Sequence, residues 1–135
     1  MFQKVTILGN LGNDPTMRFT SQGDAVTSFR VATNRRWTNP EGEPGEETVW
    51  FQVSVWGAQA ESCNQYLAKG RQVFVEGRLV PDKESGSPRI WTTNEGQPRA
   101  SYELRALTVQ FLGSGNGQTL AEAASQVLSD DDIPF

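Results

Sequence analysis

The sequence has 135 residues, of which 36% are hydrophobic, and a formal net charge of −4. This length suits one domain with a tail. The absence of histidine and the single cysteine exclude a Cys/His zinc site, an intramolecular disulfide and a Ser–His–Asp triad. The chain contains no run of about 20 apolar residues, the length needed to span a membrane. Its first residues are typical of a strand rather than of a signal peptide, so we expect a cytoplasmic protein.

The charge divides the chain into two parts. All 12 Lys and Arg residues lie in residues 1–112 together with 12 of the 16 acids, so this part is neutral and residues 113–135 carry the whole net charge. A neutral body can still hold local positive patches, although an overall pI of about 4.8 taken alone argues against nucleic acid. We therefore predict a globular domain over 1–112, a flexible linker over 113–129 and an acidic tip over 130–135.

The first half of the chain alternates strand-like runs with Gly, Pro and Asn. The predicted strands are Lys4–Leu11, a short one at Arg18–Thr20, Ala25–Asn34 and Thr48–Trp56. Two Pro, two Gly and four Glu predict an exposed loop over Asn39–Glu47.

The second half begins with the only helical pattern in the globular part. Apolar residues at helical spacing predict one short helix in Ala58–Gly70, with Gly70 as its C-terminal cap. Strand Arg71–Val80, loop Pro81–Pro88, a hairpin turning at Asn94–Gln97 and a long last strand follow. About five strands with one helix after the third predict an all-β fold, a small, partly open antiparallel barrel.

The strand Thr48–Trp56 separates two kinds of side chain. Successive residues of a strand point to opposite faces, so Val49, Phe51, Val53 and Val55 share an apolar face typical of a barrel core. The opposite face carries Trp50 and Trp56 with Gln52 and Ser54 between them. Two indoles on an otherwise polar face predict a platform on which flat ligands, chiefly bases or sugars, can stack.

The remaining tryptophans lie beside cations. Trp37 follows Arg35 and Arg36, while Trp91 follows Arg89 in the predicted hairpin, whose returning arm carries Arg99. Aromatic rings interleaved with guanidinium groups suit unpaired nucleic acid, because rings accept base faces and cations follow the phosphates. The pattern favours single-stranded nucleic acid as the ligand.

Other interpretations of the same residues stay open at this point. The tryptophans could pack against a partner subunit or a loop, and an aromatic platform could equally serve a sugar-binding or protein-interaction module. An enzyme is disfavoured, since no clustered catalytic set is visible, and we predict no catalytic residue, no cofactor and no metal.

Four stretches of the chain form a recognisable set: "VTILGNLGNDPTMRFTSQGDAVTSFRVATNRRW", "WFQVSVWG", "AESCNQYLAKGRQVFVEGRL" and the final "DDDIPF". Together they resemble the bacterial single-stranded-DNA-binding protein family. The resemblance implies a five-stranded OB-fold barrel, assembly as a homotetramer, and a nucleoid-associated role in DNA replication, recombination and repair.

The resemblance also assigns roles to individual residues. It implies base stacking by Trp37, Trp50, Trp56 and Trp91. It implies phosphate contacts by Lys4, Arg18, Lys69 and Arg89, to which the sequence neighbourhood of the tryptophans adds Arg35, Arg36 and Arg99. Two positions that are often basic in the family are Gln52 and Ala58 here, so fewer phosphate contacts and a shallower salt dependence are expected.

The last six residues combine three acids with two large apolar side chains. In the family that this sequence resembles, such a tip docks onto replication and repair enzymes. Asp130, Asp131 and Asp132 can steer the peptide toward basic surfaces, while Phe135 offers a ring and a carboxylate to a pocket. A merely solubilising tail would explain the aspartates but neither Ile133 nor Phe135, and Pro134 limits the entropy lost on binding.

Overall fold

The computed structural model describes residues 1–112. The strands are β1 (Val5–Leu11), β2 (Thr16–Phe19), β3 (Ala25–Thr38), β4 (Pro44–Trp56), β5 (Gln72–Leu79), β6 (Ile90–Thr92), β7 (Pro98–Ala100) and β8 (Tyr102–Phe111), and helix α1 (Ala58–Tyr66) follows β4. The predicted linker and tip, residues 113–135, lie outside the described part of the chain.

Five long strands close into a barrel. The sheet order is β1-β5-β8-β4-β3, and β1 also pairs with β3, which completes the circle. The prediction of a five-stranded barrel with one helix after the third long strand is therefore confirmed. The expectation of a partly open antiparallel barrel was wrong in two details, since the barrel is closed and β4 pairs with β8 in parallel, Val53 opposite Leu104.

The barrel interior is filled by alternate residues of these strands. The side chains of Phe29, Val31, Val53, Val75 and Leu104 have no exposed surface. Period-two alternation sends these residues inward and their neighbours outward, so the assignment of Val53 and Val55 to the core face of β4 is confirmed.

Helix α1 lies against β2, β3 and β4. Ala60 and Cys63 are its buried residues, and the hydroxyl of buried Thr27 on β3 donates a 2.6 Å hydrogen bond to the carbonyl of Ala60. The prediction that Gly70 caps this helix was wrong. The helix ends at Tyr66, and extended Leu67 is its cap residue, with its N–H bonded to the carbonyl of Cys63; Gly70 lies in the following turn at a φ of 92°.

The hairpin between β3 and β4 is longer than the sequence suggested. A loop was predicted over Asn39–Glu47, and its C-terminal bound was wrong. Pro44–Glu47 already belong to β4 and pair with Arg35–Thr38. Asn39 organises the true turn, its side-chain oxygen accepting hydrogen bonds from the N–H groups of Glu41 and Glu43. Cross-strand pairing thus outweighed the turn-forming composition.

The predicted turn at Asn94–Gln97 is confirmed as the tip of a small separate sheet, β6 with β7. Ser101 separates the returning arm of this hairpin, β7, from the long last strand, β8. No helix within residues 1–112 is long and apolar enough to cross a membrane.

Burial raises the pKa of the Cys63 thiol to about 11. The thiolate of Cys63 is less favoured in the folded state than in the unfolded chain. Ionisation of this thiol in the unfolded chain therefore lowers the free energy of unfolding as pH rises from about 9 to about 11. We expect the free energy of unfolding to fall over this window by about 2 kcal/mol more in the unmodified protein than in Cys63→Ala. Urea titrations of both proteins at about pH 8 and about pH 10.5 measure this difference, and parallel pH profiles would contradict it.

Candidate nucleic-acid interface

The outer face of the barrel between β3, β4 and β8 carries a polar row bounded by tryptophans. Strand register places Ser28 opposite Ser54 and Arg30 opposite Gln52, with Trp50 and Trp56 at the two ends of the row on β4. Residues paired in this way share a sheet face, so these side chains project outward on the face opposite the core.

Two cavities of about 520 and 440 Å³ lie on this face. The first extends from Trp56 and Arg18 to Arg89, and the second extends from Trp50 and Arg30 to Arg99. Both are lined by Gln52, Trp91 and Ser101, so they join into one groove that runs from Trp56 past Trp91 to Trp50. We call this continuous surface the groove.

The three groove tryptophans are held in place but not enclosed. Trp50, Trp56 and Trp91 expose 41%, 37% and 40% of their surface. The indole N–H of Trp91 donates a 3.1 Å hydrogen bond to the hydroxyl of Ser101. Indoles that are partly exposed in this way can stack flat ligands without first breaking a packed core.

Trp37 lies apart from the other three tryptophans. It pairs with Gly45 near the end of the β3–β4 hairpin, and it lines a separate cavity with Arg36 and Glu46. Strand alternation puts Trp37 on the sheet face opposite to Trp50. The structure thus brings Trp50, Trp56 and Trp91 together and leaves Trp37, 40% exposed, at a second position.

Guanidinium groups cover three of the four indoles. The Cζ atom of Arg30 lies 4.3 Å from the ring centroid of Trp50, that of Arg105 lies 4.6 Å from Trp56, and that of Arg35 lies 4.8 Å from Trp37. Such cation–π contacts are worth about 0.5–1 kcal/mol at exposed sites. Arg30 and Arg105 were not predicted from the sequence, because their contacts depend on strand pairing; the alternation of β3 alone would have placed Arg30 on the outer face.

Three of the predicted phosphate-binding cations line the groove: Arg18, Arg89 and Arg99. The Nη2 of Arg89 lies 3.1 Å from a carboxylate oxygen of Glu103, an ion pair that links the β6–β7 hairpin to β8. Arg99 donates a 2.9 Å hydrogen bond to the side-chain oxygen of Gln97, so its charge has no acidic partner in that contact.

The other four predicted cations lie away from the groove lining. Lys4 pairs with Glu76, and Lys69 follows α1, its backbone N–H bonded to Asp14. Arg35 and Arg36 pair with Glu47 and Glu46 across the β3–β4 hairpin, beside Trp37. The charges of Lys4, Arg35 and Arg36 are therefore partly compensated within the protein.

Known proteins are similar to this chain in sequence and in fold. The profile of the Single-strand binding protein family matches residues 2–112. The chain belongs to this family.

Curated relatives agree with the family assignment. The chain is 37% identical over 114 residues to the single-stranded DNA-binding protein of Wolinella succinogenes and 39% identical over 118 residues to single-stranded DNA-binding protein 1 of Chlorobaculum tepidum. Each match covers 84% of this chain but only 66% and 68% of the relative, so the chain matches about two thirds of the relatives' length.

Solved structures show the same fold. The Plasmodium falciparum SSB in its complex with ssDNA matches with a TM-score of 0.68 at 28% identity, over 84% of this chain and 97% of that one. A deletion mutant of the single-stranded DNA binding protein from Thermus aquaticus matches with a TM-score of 0.65 at 30% identity, over 87% and 53% of the two chains. The prediction of an OB-fold of this family is confirmed.

Gly12 positions one of the groove tryptophans in this family member. A Cβ atom on Gly12 would lie 2.7 Å from Cη2 of Trp50, closer than real carbon contacts allow, and the backbone N–H of Gly12 is fixed by a 2.9 Å hydrogen bond to the carbonyl of Arg30. The missing side chain is therefore what lets the indole lie against the bend after β1.

Replacing Gly12 with alanine should push the Trp50 ring off this seat. We expect Gly12→Ala to shift the tryptophan emission and near-ultraviolet circular dichroism and to cost about 1–3 kcal/mol in free energy of unfolding. The control is Ala58→Gly at an exposed position, which exchanges the same two residue types away from Trp50. Gly42→Ala would be an unsuitable control, because Gly42 has a φ of 83°. Spectra of Gly12→Ala identical to those of the unmodified protein would contradict the role of Gly12.

Proposed function

We propose that this chain binds single-stranded DNA without sequence preference. The observation that carries the proposal is the groove, in which three partly open indoles and three predicted phosphate-binding cations lie on one barrel face. Membership of the family and similarity to the Plasmodium falciparum SSB in its complex with ssDNA support the same ligand.

The chemistry of the groove favours single strands over duplexes. Bases that stack on indoles must be unpaired, whereas a duplex hides its base faces, and each stacked base contributes about 1–3 kcal/mol. The polar side chains between the rings, Gln52, Ser54 and Ser101, offer hydrogen bonds that do not require one particular base. Stacking strength rather than base-edge recognition then determines affinity, which makes binding tolerant of sequence.

A fluorescence titration with oligo-dT tests the proposal. Stacking on Trp50, Trp56 and Trp91 should quench the tryptophan emission strongly at low salt, with little response to a duplex of the same length and weaker binding at higher salt. An oligosaccharide titration addresses the alternative of a sugar-binding module. Unchanged emission with oligo-dT at low salt would contradict the proposal.

We extend the proposal to the cellular role. The protein protects unwound DNA in replication, recombination and repair, acts as a homotetramer and recruits enzymes through Asp130–Phe135, with residues 1–112 as the binding domain and 113–129 as the linker. The resemblance of the sequence to the family supports these roles. Sedimentation equilibrium tests the tetramer: a single species at the monomer mass would refute it.

The tip has its own test. Deleting Ile133–Phe135 should abolish binding of partner enzymes while leaving oligo-dT affinity unchanged, since Asp130–Asp132 remain and can still compete with DNA for basic surface. The matched control replaces Ser129 with alanine, which keeps both the apolar and the acidic residues. Undiminished binding of a replication or repair enzyme by the truncated chain would overturn the docking role.

The proposed activity is binding rather than catalysis. Within residues 1–112 there is no group of three or more Cys, Asp and Glu side chains placed to hold a metal ion. We expect no cleavage of single-stranded DNA in the presence of Mg²⁺ or Mn²⁺, and a nuclease assay measures this.

A further inference from the structure

A pair of arginines lies side by side on the outer face of the barrel, next to the groove. Arg78 on β5 and Arg105 on β8 are register partners in an antiparallel pair. Side chains directly opposite in such a pair have Cβ atoms about 4.5–5.5 Å apart, and like charges in this arrangement destabilise the sheet. Two cationic side chains that start from neighbouring positions concentrate positive charge on this part of the face, and such a patch suits an anion.

The protein itself does not supply that anion within residues 1–112. Neither Arg78 nor Arg105 has an ion pair or a side-chain hydrogen bond with any described residue. The two acids nearest along these strands already have partners: Glu76 pairs with Lys4, and Glu103 pairs with Arg89. The charge of the arginine pair is therefore uncompensated by the described carboxylates.

The pair continues the groove. Arg105 is also the register partner of Ser54 on β4, which pairs with Ser28 on β3. The row Ser28, Ser54, Arg105 and Arg78 thus crosses four strands on one sheet face. Arg105 in addition covers the ring of Trp56. The arginine pair is therefore adjacent to the end of the groove that Trp56 forms.

We propose that Arg78 and Arg105 form a phosphodiester-binding subsite that carries the strand from Trp56 across β8 onto β5. This inference rests on the proposed function and adds a path for the DNA backbone beyond the tryptophans. A base stacked on Trp56 places its phosphate beside Arg105, and the next phosphate then reaches Arg78. Guanidinium groups suit this role because their planar donors match phosphate oxygens in pairs.

The subsite makes a prediction about salt dependence. For a single strand, each phosphate that the protein no longer neutralises reduces the slope of log affinity against log salt by about 0.7. Arg78→Gln should therefore lower the slope by about 0.7 and weaken oligo-dT binding about fivefold at about 0.1 M salt, with the difference vanishing toward about 1 M. Arg105→Gln should lower the slope in the same way and also change the emission of Trp56.

The experiment uses the full chain and titrates oligo-dT at several ionic strengths. Arg78→Gln is compared with Arg78→Lys, which keeps the charge, and with Lys83→Gln, which removes an exposed charge that does not line the groove. We expect the slope to fall for Arg78→Gln alone among these three, with the maximum quenching unchanged because Arg78 takes part in none of the cation–π contacts with the indoles of residues 1–112.

Two results are distinguishable from each other. If the unmodified chain fails to bind oligo-dT, the proposed function is wrong. If it binds, but Arg78→Gln and Arg105→Gln have the salt slope of Lys83→Gln, the subsite is wrong and the function stands. Thermal unfolding of Arg78→Gln without DNA gives a separate check, because removing this one of two opposed like charges should leave the melting temperature equal or higher. A clear drop for Arg78→Gln would assign the pair a structural role instead.

Discussion

Trp50→Ala is expected to weaken oligo-dT binding by about 1–3 kcal/mol, which is roughly 5- to 150-fold in dissociation constant. Trp50 exposes 41% of its surface and faces the groove on the side opposite to the core. Its loss removes a stacking platform, whereas the interior formed by Val53 and Phe29 keeps all its side chains. The change should therefore appear in binding much more than in folding.

The measurement pairs an oligo-dT titration at low salt with a urea unfolding curve. Trp50→Phe is the matched control, since it keeps a ring of smaller area and should lose less affinity than Trp50→Ala. Normal binding by Trp50→Ala would contradict a stacking role for Trp50. A free energy of unfolding that falls as far as that of binding would show instead that Trp50 is a packing residue.

Phe29→Ala should have the opposite profile. Phe29 has no exposed surface and lies in the closed barrel among Val31, Val53 and Val75. Replacing a buried phenylalanine with alanine costs about 3–5 kcal/mol through lost transfer energy and the remaining cavity, a large part of the stability of a domain of this size. We expect a steep loss of the free energy of unfolding in urea.

The folded fraction of Phe29→Ala should still bind oligo-dT with near-normal affinity, because Phe29 does not line the groove. Phe29→Leu is the control, which leaves a smaller cavity and should be destabilised less. Unfolding curves of Phe29→Ala and the unmodified protein that coincide would contradict the assignment of this residue to the core.

Local patterns in the sequence correctly predicted features that depend on a single strand or turn. The alternation of Val49–Trp56 predicted which side chains of β4 face the interior, and the structure confirms it for Val53, Val55 and the two tryptophans. Turn-forming residues likewise located the tip of the small hairpin at Asn94–Gln97.

Features that depend on distant partners were missed. Nothing local to β4 or β8 specifies that they pair in parallel, and the positions of Arg30 and Arg105 over indoles follow from strand register rather than from sequence neighbourhood. Composition also misled: Pro44–Glu47 resembles a loop, yet Arg35–Thr38 extend beside it and pair with it. The family resemblance grouped Trp37 with the groove rings; strand alternation puts it on the other sheet face, and its stacking role stays a prediction.

The β6–β7 hairpin bears on how a ligand enters. Within residues 1–112 it forms a sheet of its own and has no backbone hydrogen bond to the barrel, and the ion pair of Arg89 with Glu103 links it to β8. If the groove binds DNA as proposed, we expect a strand to enter it sideways past Trp91 rather than by threading from an end, because no backbone hydrogen bond closes the hairpin onto the barrel within residues 1–112. Such lateral loading would let the protein cover gaps in long or circular molecules, where no free terminus is available.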